Sequence, residues 1–140
     1  MVRVTVKNLQ KKVSLRQREI KKIISKVLQS EKKGIKGEIN VSFVNDPLIR
    51  KLNKKYLKKD SPTDVLAFNI GDIKEKTKLY ADILISADTA LRNAKIFKTT
   101  PDYELKLYSV HGILHLLGYD DHSLKDKKII RKKELKYVHP

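Results

Sequence analysis

The chain contains no cysteine and no tryptophan among its 140 residues. Without thiols there is no disulfide framework, thiolate zinc site, iron–sulfur cluster or cysteine nucleophile, so any metal must be held by histidine and carboxylates. Acidic residues are also scarce. Sixteen Asp+Glu stand against 32 Lys+Arg, a formal charge of +16, with only 6 glutamates against 26 lysines. Ion-pair networks of the hyperthermophile kind enrich Lys and Glu together, so this surplus points instead to a polyanion partner, above all nucleic acid. Long hydrophobic runs are missing as well. No stretch approaches the roughly 20 apolar residues of a membrane span, and residues 1–12 alternate and carry lysine where a signal sequence would be continuously apolar. The expected location is the cytoplasm, with no membrane partner. Repeats, linkers and low-complexity tracts are absent, and 40% hydrophobic residues over this length suffice for one core. Residues 1–140 are read as a single domain.

What is present is a regular succession of hydrophobic periods. Val2, Val4 and Val6 alternate as in a half-buried strand; Ser14 with Gln17 then opens a run of Ile20, Ile23, Ile24, Val27 and Leu28 at helical spacing. Ile39, Val41 and Phe43 alternate again before Asp46-Pro47, read as an N-cap acid followed by proline at the first helical position, with the helix running to about Lys59. Residues 65–70 and 82–86 read as strands joined by a polar link. Residues 87–97 make a short amphipathic helix, and Thr100-Pro101 announces a helix that is apolar on nearly every face and must be buried. Gly118 ends it, and Ser123 caps a last, Lys-rich helix. The predicted order is β-α-β-α-β-β-α-α-α: an α+β fold with a small mixed sheet of about four strands and about five helices.

The charge is not evenly spread. Residues 14–33 carry +5, residues 47–59 carry +6 with no acid, and residues 123–137 carry +5, while everything else cancels. Any one such helix can be a solvated face. Three unneutralised helices in one small domain repel one another, and a phosphate backbone relieves that repulsion. The densest segment supplies the candidate RNA-binding residues Arg50, Lys51, Lys54, Lys55, Lys58 and Lys59.

Three of the four histidines fall within residues 111–122, where random placement predicts about 0.3. His111 and His115 lie four apart, on one face of the buried helix, and can chelate a single ion. The glycine that follows lets the chain turn back with a third ligand. Three protein ligands leave zinc a fourth position, where a water has its pKa lowered to about 7. Zinc, one ion per chain, suits these ligand types. In the HExxH motif of zinc proteases a glutamate follows the first ligand; here that residue is Gly112.

These residues resemble the YbeY family of bacterial rRNA maturation factors. The likeness extends over most of the chain beyond about Glu38. It rests on Leu52-Asn53 with Tyr56, on the run Asp60-Ser61-Pro62-Thr63-Asp64-Val65-Leu66-Ala67-Phe68, on Asp82 to Ser86, and above all on His111-Gly112-Ile113-Leu114-His115-Leu116-Leu117-Gly118-Tyr119-Asp120. It implies a zinc-dependent, single-strand-specific endoribonuclease acting in the 3′-end maturation of 16S rRNA and in ribosome quality control. The sequence departs from the family pattern at three places. The third histidine is expected at position 121, where Asp121 stands, with His122 next; either His122 ligates through a loop longer by one residue, the favoured reading, or Asp121 completes a two-histidine, one-carboxylate site. Leu57 stands where the family has an arginine with a role in activity, and Ala81 where it usually has glycine.

Asp64 and Asp82 are candidates for orienting ligands or substrate, against a plain role in turns and caps. Tyr119 and Asp120 are candidates for fixing the ligand loop, and Asp120 also for a base acting on water. The six tyrosines and three phenylalanines form no stacking cluster, which argues against base-specific readout. Two other functions compete: a metal-dependent peptidase, disfavoured by the missing glutamate and the charge, and a non-catalytic ribosome-assembly factor with structural zinc.

Overall fold

The computed structural model describes residues 1–59, 63–72 and 74–139, so the Asp60-Ser61-Pro62 part of the strand motif lies outside the described residues. The elements, in chain order, are β1 (Val2–Asn8), α1 (Gln17–Glu31), β2 (Lys36–Val44), α2 (Asp46–Leu57), β3 (Val65–Asn69), β4 (Lys78–Ser86), α3 (Ala87–Phe97), α4 (Pro101–Leu116) and α5 (Leu124–Val138). This is the predicted α+β order. The four strands form one mixed sheet in the order β1-β2-β4-β3, with β1, β2 and β4 parallel and β3 antiparallel to β4.

Strand alternation assigns the two faces. Ile39, Val41 and Phe43 of β2, with Ala81, Ile83 and Ile85 of β4, are buried on one face together with Ile20, Ile24 and Val27 of α1 and Leu105, Ile113 and Leu114 of α4. Each fully buried aliphatic side chain contributes about 1.5–3 kcal/mol. The opposite face carries α2 on a smaller cluster, Val44, Ile49 and Leu66, flanked by Leu52, Phe68 and Leu84. Beyond that patch it is polar, with Asn40, Ser42 and Asp82 lining an open depression. Register brings Asn40 opposite Asp82, and its amide donates to the Asp82 carboxylate at 3.2 Å.

Two glycines show how tightly the layers meet. At Gly37 a Cβ would lie 1.9 Å from the carbonyl oxygen of Leu79 on the neighbouring strand. At Gly112 it would meet Val65 and Ile83 methyls at 3.2 and 3.3 Å, so α4 presses against the sheet through its glycine.

Several helix ends differ from expectation. α1 begins at Gln17 with Arg16 at its N-cap and no side-chain cap, so Ser14 does not open it. The Gln10 side chain instead bonds both the N–H and the C=O of Val13, closing a turn that buries Val13 ahead of the helix. At α2 the N-cap is Asn45, and Asp46 is already helical. Its carboxylate accepts from Ser86 Oγ at 2.6 Å and Arg92 Nη1 at 2.7 Å, tying α2 to the start of α3. α2 stops at Leu57, two residues early, because Lys58 adopts a left-handed φ of 56°. Thr100 and Ser123 cap α4 and α5, accepting from Tyr103 and Asp126 N–H. No helix among the described residues is long and apolar enough to cross a membrane.

Candidate metal centre

α4 is buried on nearly every side, through Leu105, Tyr108, Ser109, Val110, Gly112, Ile113 and Leu114. At the edge turned toward α5 the half-buried His111 and His115 emerge. Their one-turn separation stacks the rings, and the two Nε2 atoms converge to 2.8 Å. The other nitrogen of His111 is engaged: because an ionised carboxylate only accepts, Nδ1–H donates to Glu134 Oε2 of α5, at 2.6 Å. That bond fixes the tautomer and leaves the Nε2 lone pair aimed at the neighbouring histidine.

The chain after α4 supplies a third group. Gly118 adopts a φ of 101°, a left-handed conformation, and N–H groups of Gly118 and Tyr119 donate back to the carbonyls of His115 and Leu114. Tyr119 Oη then donates to Glu31 at the end of α1, at 2.5 Å; Glu31 also accepts from Tyr137 and, at 3.2 Å, from Lys133 of α5. Held by this anchor, the loop carries Asp121 to within 3.7 Å of His115 Nε2. His111, His115 and Asp121 each offer one ligand atom, and these lie within 4.8 Å of one another.

His122, the favoured third ligand in the sequence reading, is not brought to the pair; Asp121 is. The side chain of His122 is 82% exposed and lies 3.8 Å from the outward-facing Asp120. The chain turns at Gly118 and is tied down at Tyr119 by Glu31, which carries position 121 toward His115 and leaves position 122 in solvent.

The electrostatics of the pair follow from its geometry. Burial disfavours the imidazolium of His111, but the Glu134 hydrogen bond and the charges of Glu134, Asp64 and Asp121 outweigh it and hold the pKa above the ordinary value. His115 is pushed the other way, by burial and then by His111, against the pull of Asp121, Asp120 and Glu134. Two ring nitrogens this close have room for one positive charge between them.

The remaining sequence candidates divide by face. Asp64 stands at the start of β3 with its Oδ1 accepting from Val65 N–H at 2.8 Å, and its charge reaches His111. Tyr119 anchors the loop through Glu31. Asp120 faces solvent, with its side chain 62% exposed. Asp82 lies on the far face: its neighbour Ile83 meets α4 at Gly112, so Asp82 projects to the α2 side and cannot orient the histidines. Arg50, Lys51, Lys54, Lys55, Lys58 and Lys59 are all exposed on or just after α2, across the sheet from α4. The residue that the sequence reading missed is Glu134. Its signal was legible: on a Lys-rich helix this acid falls in phase with the buried Ile130, Tyr137 and Val138.

Comparison with known proteins identifies the family of the chain. A family model described as Endoribonuclease YbeY matches residues 5–140. The chain belongs to the YbeY family. It is 36% identical over 134 residues to the Endoribonuclease YbeY of Carboxydothermus hydrogenoformans, covering 95% of this chain and 93% of that protein. With the Aquifex aeolicus YbeY it shares 48% over 83 residues, 59% of this chain and 55% of that one. Against the Myxococcus xanthus YbeY the identity is 42% over 105 residues, 73% of this chain but only 35% of that longer protein. The fold is similar to the solution structure of TM1509 from Thermotoga maritima, with a TM-score of 0.64 and 29% identity, covering 99% of this chain and 87% of that one. Within this YbeY chain, Gly112 has a structural explanation: its backbone packs against β3 and β4, and a glutamate there would run into the sheet.

Proposed function

We propose that this YbeY chain is a metal-dependent endoribonuclease that hydrolyses single-stranded RNA, with one Zn²⁺ held by His111, His115 and Asp121. The observation that carries the reading is the convergence of two imidazole Nε2 atoms and one carboxylate on a single point, with a second carboxylate, Glu134, behind one of the imidazoles. A carboxylate behind a ligating imidazole is the usual support of a metal site: it fixes the tautomer and makes the ligand more basic. A divalent ion bound there supplies Lewis acidity toward a phosphoryl oxygen and toward an attacking water.

The chain's own groups do the rest. Glu134 and the Tyr119–Glu31 anchor keep ligand atoms in place before substrate arrives, and Asp120, on the solvent side, is the proposed acceptor of a proton from water. The substrate proposed is 16S rRNA near its 3′ end, on or beside the ribosome in the cytoplasm, as membership of the YbeY family implies. The peptidase reading gains nothing from the site, since the position that carries the glutamate in HExxH is Gly112, packed tightly against Val65 and Ile83.

The test compares wild type with His111→Ala, Asp121→Ala and His122→Ala, each stripped by chelator and reloaded with Zn²⁺. His111→Ala and Asp121→Ala are expected to lose both zinc and cleavage of single-stranded RNA, whereas His122→Ala keeps its zinc. Full cleavage by a zinc-free His111→Ala would end the metal-dependent reading, and rRNA binding by wild type with no metal-dependent turnover would favour an assembly factor.

A further inference from the structure

We propose that the exposed face of α5 beside the histidines is the track along which a single RNA strand lays its phosphate backbone on the way into the centre. This rests on the nuclease reading above. An open depression of about 690 Å³ begins at His111 and Asp121 and continues along α5, lined by Lys127, Lys128, Arg131 and Lys132 with Leu124 and Leu135. The four bases recur one helical turn apart, so Lys127 and Lys128 stand roughly 6 Å along the axis from Arg131 and Lys132, comparable to the separation of successive phosphates in an extended strand. Leu124 and Leu135, both exposed, mark ends about 16 Å apart and offer apolar surface to sugars and base faces.

Arg131 joins the track to the chemistry. Its guanidinium lies 3.8 Å from Glu134 Oε1, while Glu134 Oε2 holds His111. One carboxylate therefore bonds a proposed metal ligand and lies within ion-pair range of a planar donor fork suited to a phosphate. α2 has more charge, but it packs on the other face of the sheet, where Val44, Ile49 and Leu66 seat it.

The experiment is fluorescence anisotropy with a labelled single-stranded RNA oligonucleotide in chelator, which stops cleavage and reads binding alone, across a salt series. Reversal of two α5 charges, Lys128→Glu with Arg131→Glu, is expected to weaken binding at least tenfold and to flatten the log–log salt slope by about 1.4, two phosphate contacts' worth. The same two reversals on α2, Lys51→Glu with Lys55→Glu, should weaken it by no more than about threefold. The milder pair Lys128→Ala with Arg131→Ala, checked for an unchanged circular dichroism spectrum, should fall between. An α2 loss equal to or larger than the α5 loss would overturn the track while leaving the nuclease reading intact. Displacement of the RNA by an equal charge of polyglutamate would overturn it in favour of an acidic protein partner. Failure of wild type to bind any RNA would overturn the nuclease reading itself, and the track with it.

Discussion

The two faces of the sheet put opposite kinds of polar surface to opposite uses. Under α4 and α5 the polar atoms are few, mostly withdrawn from solvent and mutually engaged: His111, His115, Glu134 and Asp121 converge, and Glu31 gathers two tyrosines and a lysine. On the α2 face the polar atoms are many and open, with Asp82 and Asn40 at the floor of a depression beside α2, which carries four bases with two more just past its end. The lesson is that charge density and the candidate metal site are separate variables. The most basic segment stands across the sheet from the histidines, and the helix that closes the centre is the one whose bases are interrupted by a single buried acid.

The comparison breaks most visibly at the plane where α4 meets the sheet. Gly112→Glu would restore the protease-like motif, yet it drives a side chain into Val65 and Ile83; a loss of about 3 kcal/mol or more is expected, read as a collapse of the thermal midpoint. If Gly112→Glu were stable and gained peptidase activity, the tight packing described for that plane would be wrong. Next in size is Glu134→Gln. It keeps the shape but loses the charge behind His111, and zinc affinity measured by chelator competition should drop about ten- to hundredfold, with Glu134→Asp recovering part of it. Unchanged affinity would reduce Glu134 to a packing residue.

Smaller is the effect of Glu31→Gln, expected to cost about 1 kcal/mol because it weakens hydrogen bonds to a charged acceptor without removing them. Here the pH dependence has a definite sign. Burial acts to raise the Glu31 pKa, but Tyr119, Tyr137 and Lys133 together hold it below the ordinary 4.5. A depressed folded-state value means that the stabilisation is complete above the unfolded value and is lost as pH falls through the folded one. The gap in unfolding free energy between wild type and Glu31→Gln should therefore narrow below pH 4.5, and a gap that widens on acidification would show that the anchor is not ionic. Smallest is Asp82→Asn on the far face: zinc affinity should stay within about twofold, since the sheet separates it from the ligands. A larger change would mean that the two faces communicate.

Much of this was legible in the residues themselves. The order of elements, the buried α4 and the glycine that ends it follow from hydrophobic period and punctuation, which are local properties. The capping of α1 and α2 was misread because Gln10 and Ser86 offered partners that local pattern does not reveal. Of the two candidates for the third ligand, the sequence favours His122, and the fold brings Asp121 to the histidines for a related reason. The choice between positions 121 and 122 depends on where Tyr119 is pinned, and it is pinned by a glutamate 88 residues away.

The sequence by itself determined the ion-binding vocabulary, by excluding thiolates and placing two histidines one turn apart, and it determined the fold class through alternating and helical periods. Only the tertiary structure decided which face of the sheet the histidines occupy, that Glu134 stands behind His111 and that Asp121 turns inward. Each of those depends on contacts between segments far apart in the chain, and such contacts leave no period in the sequence.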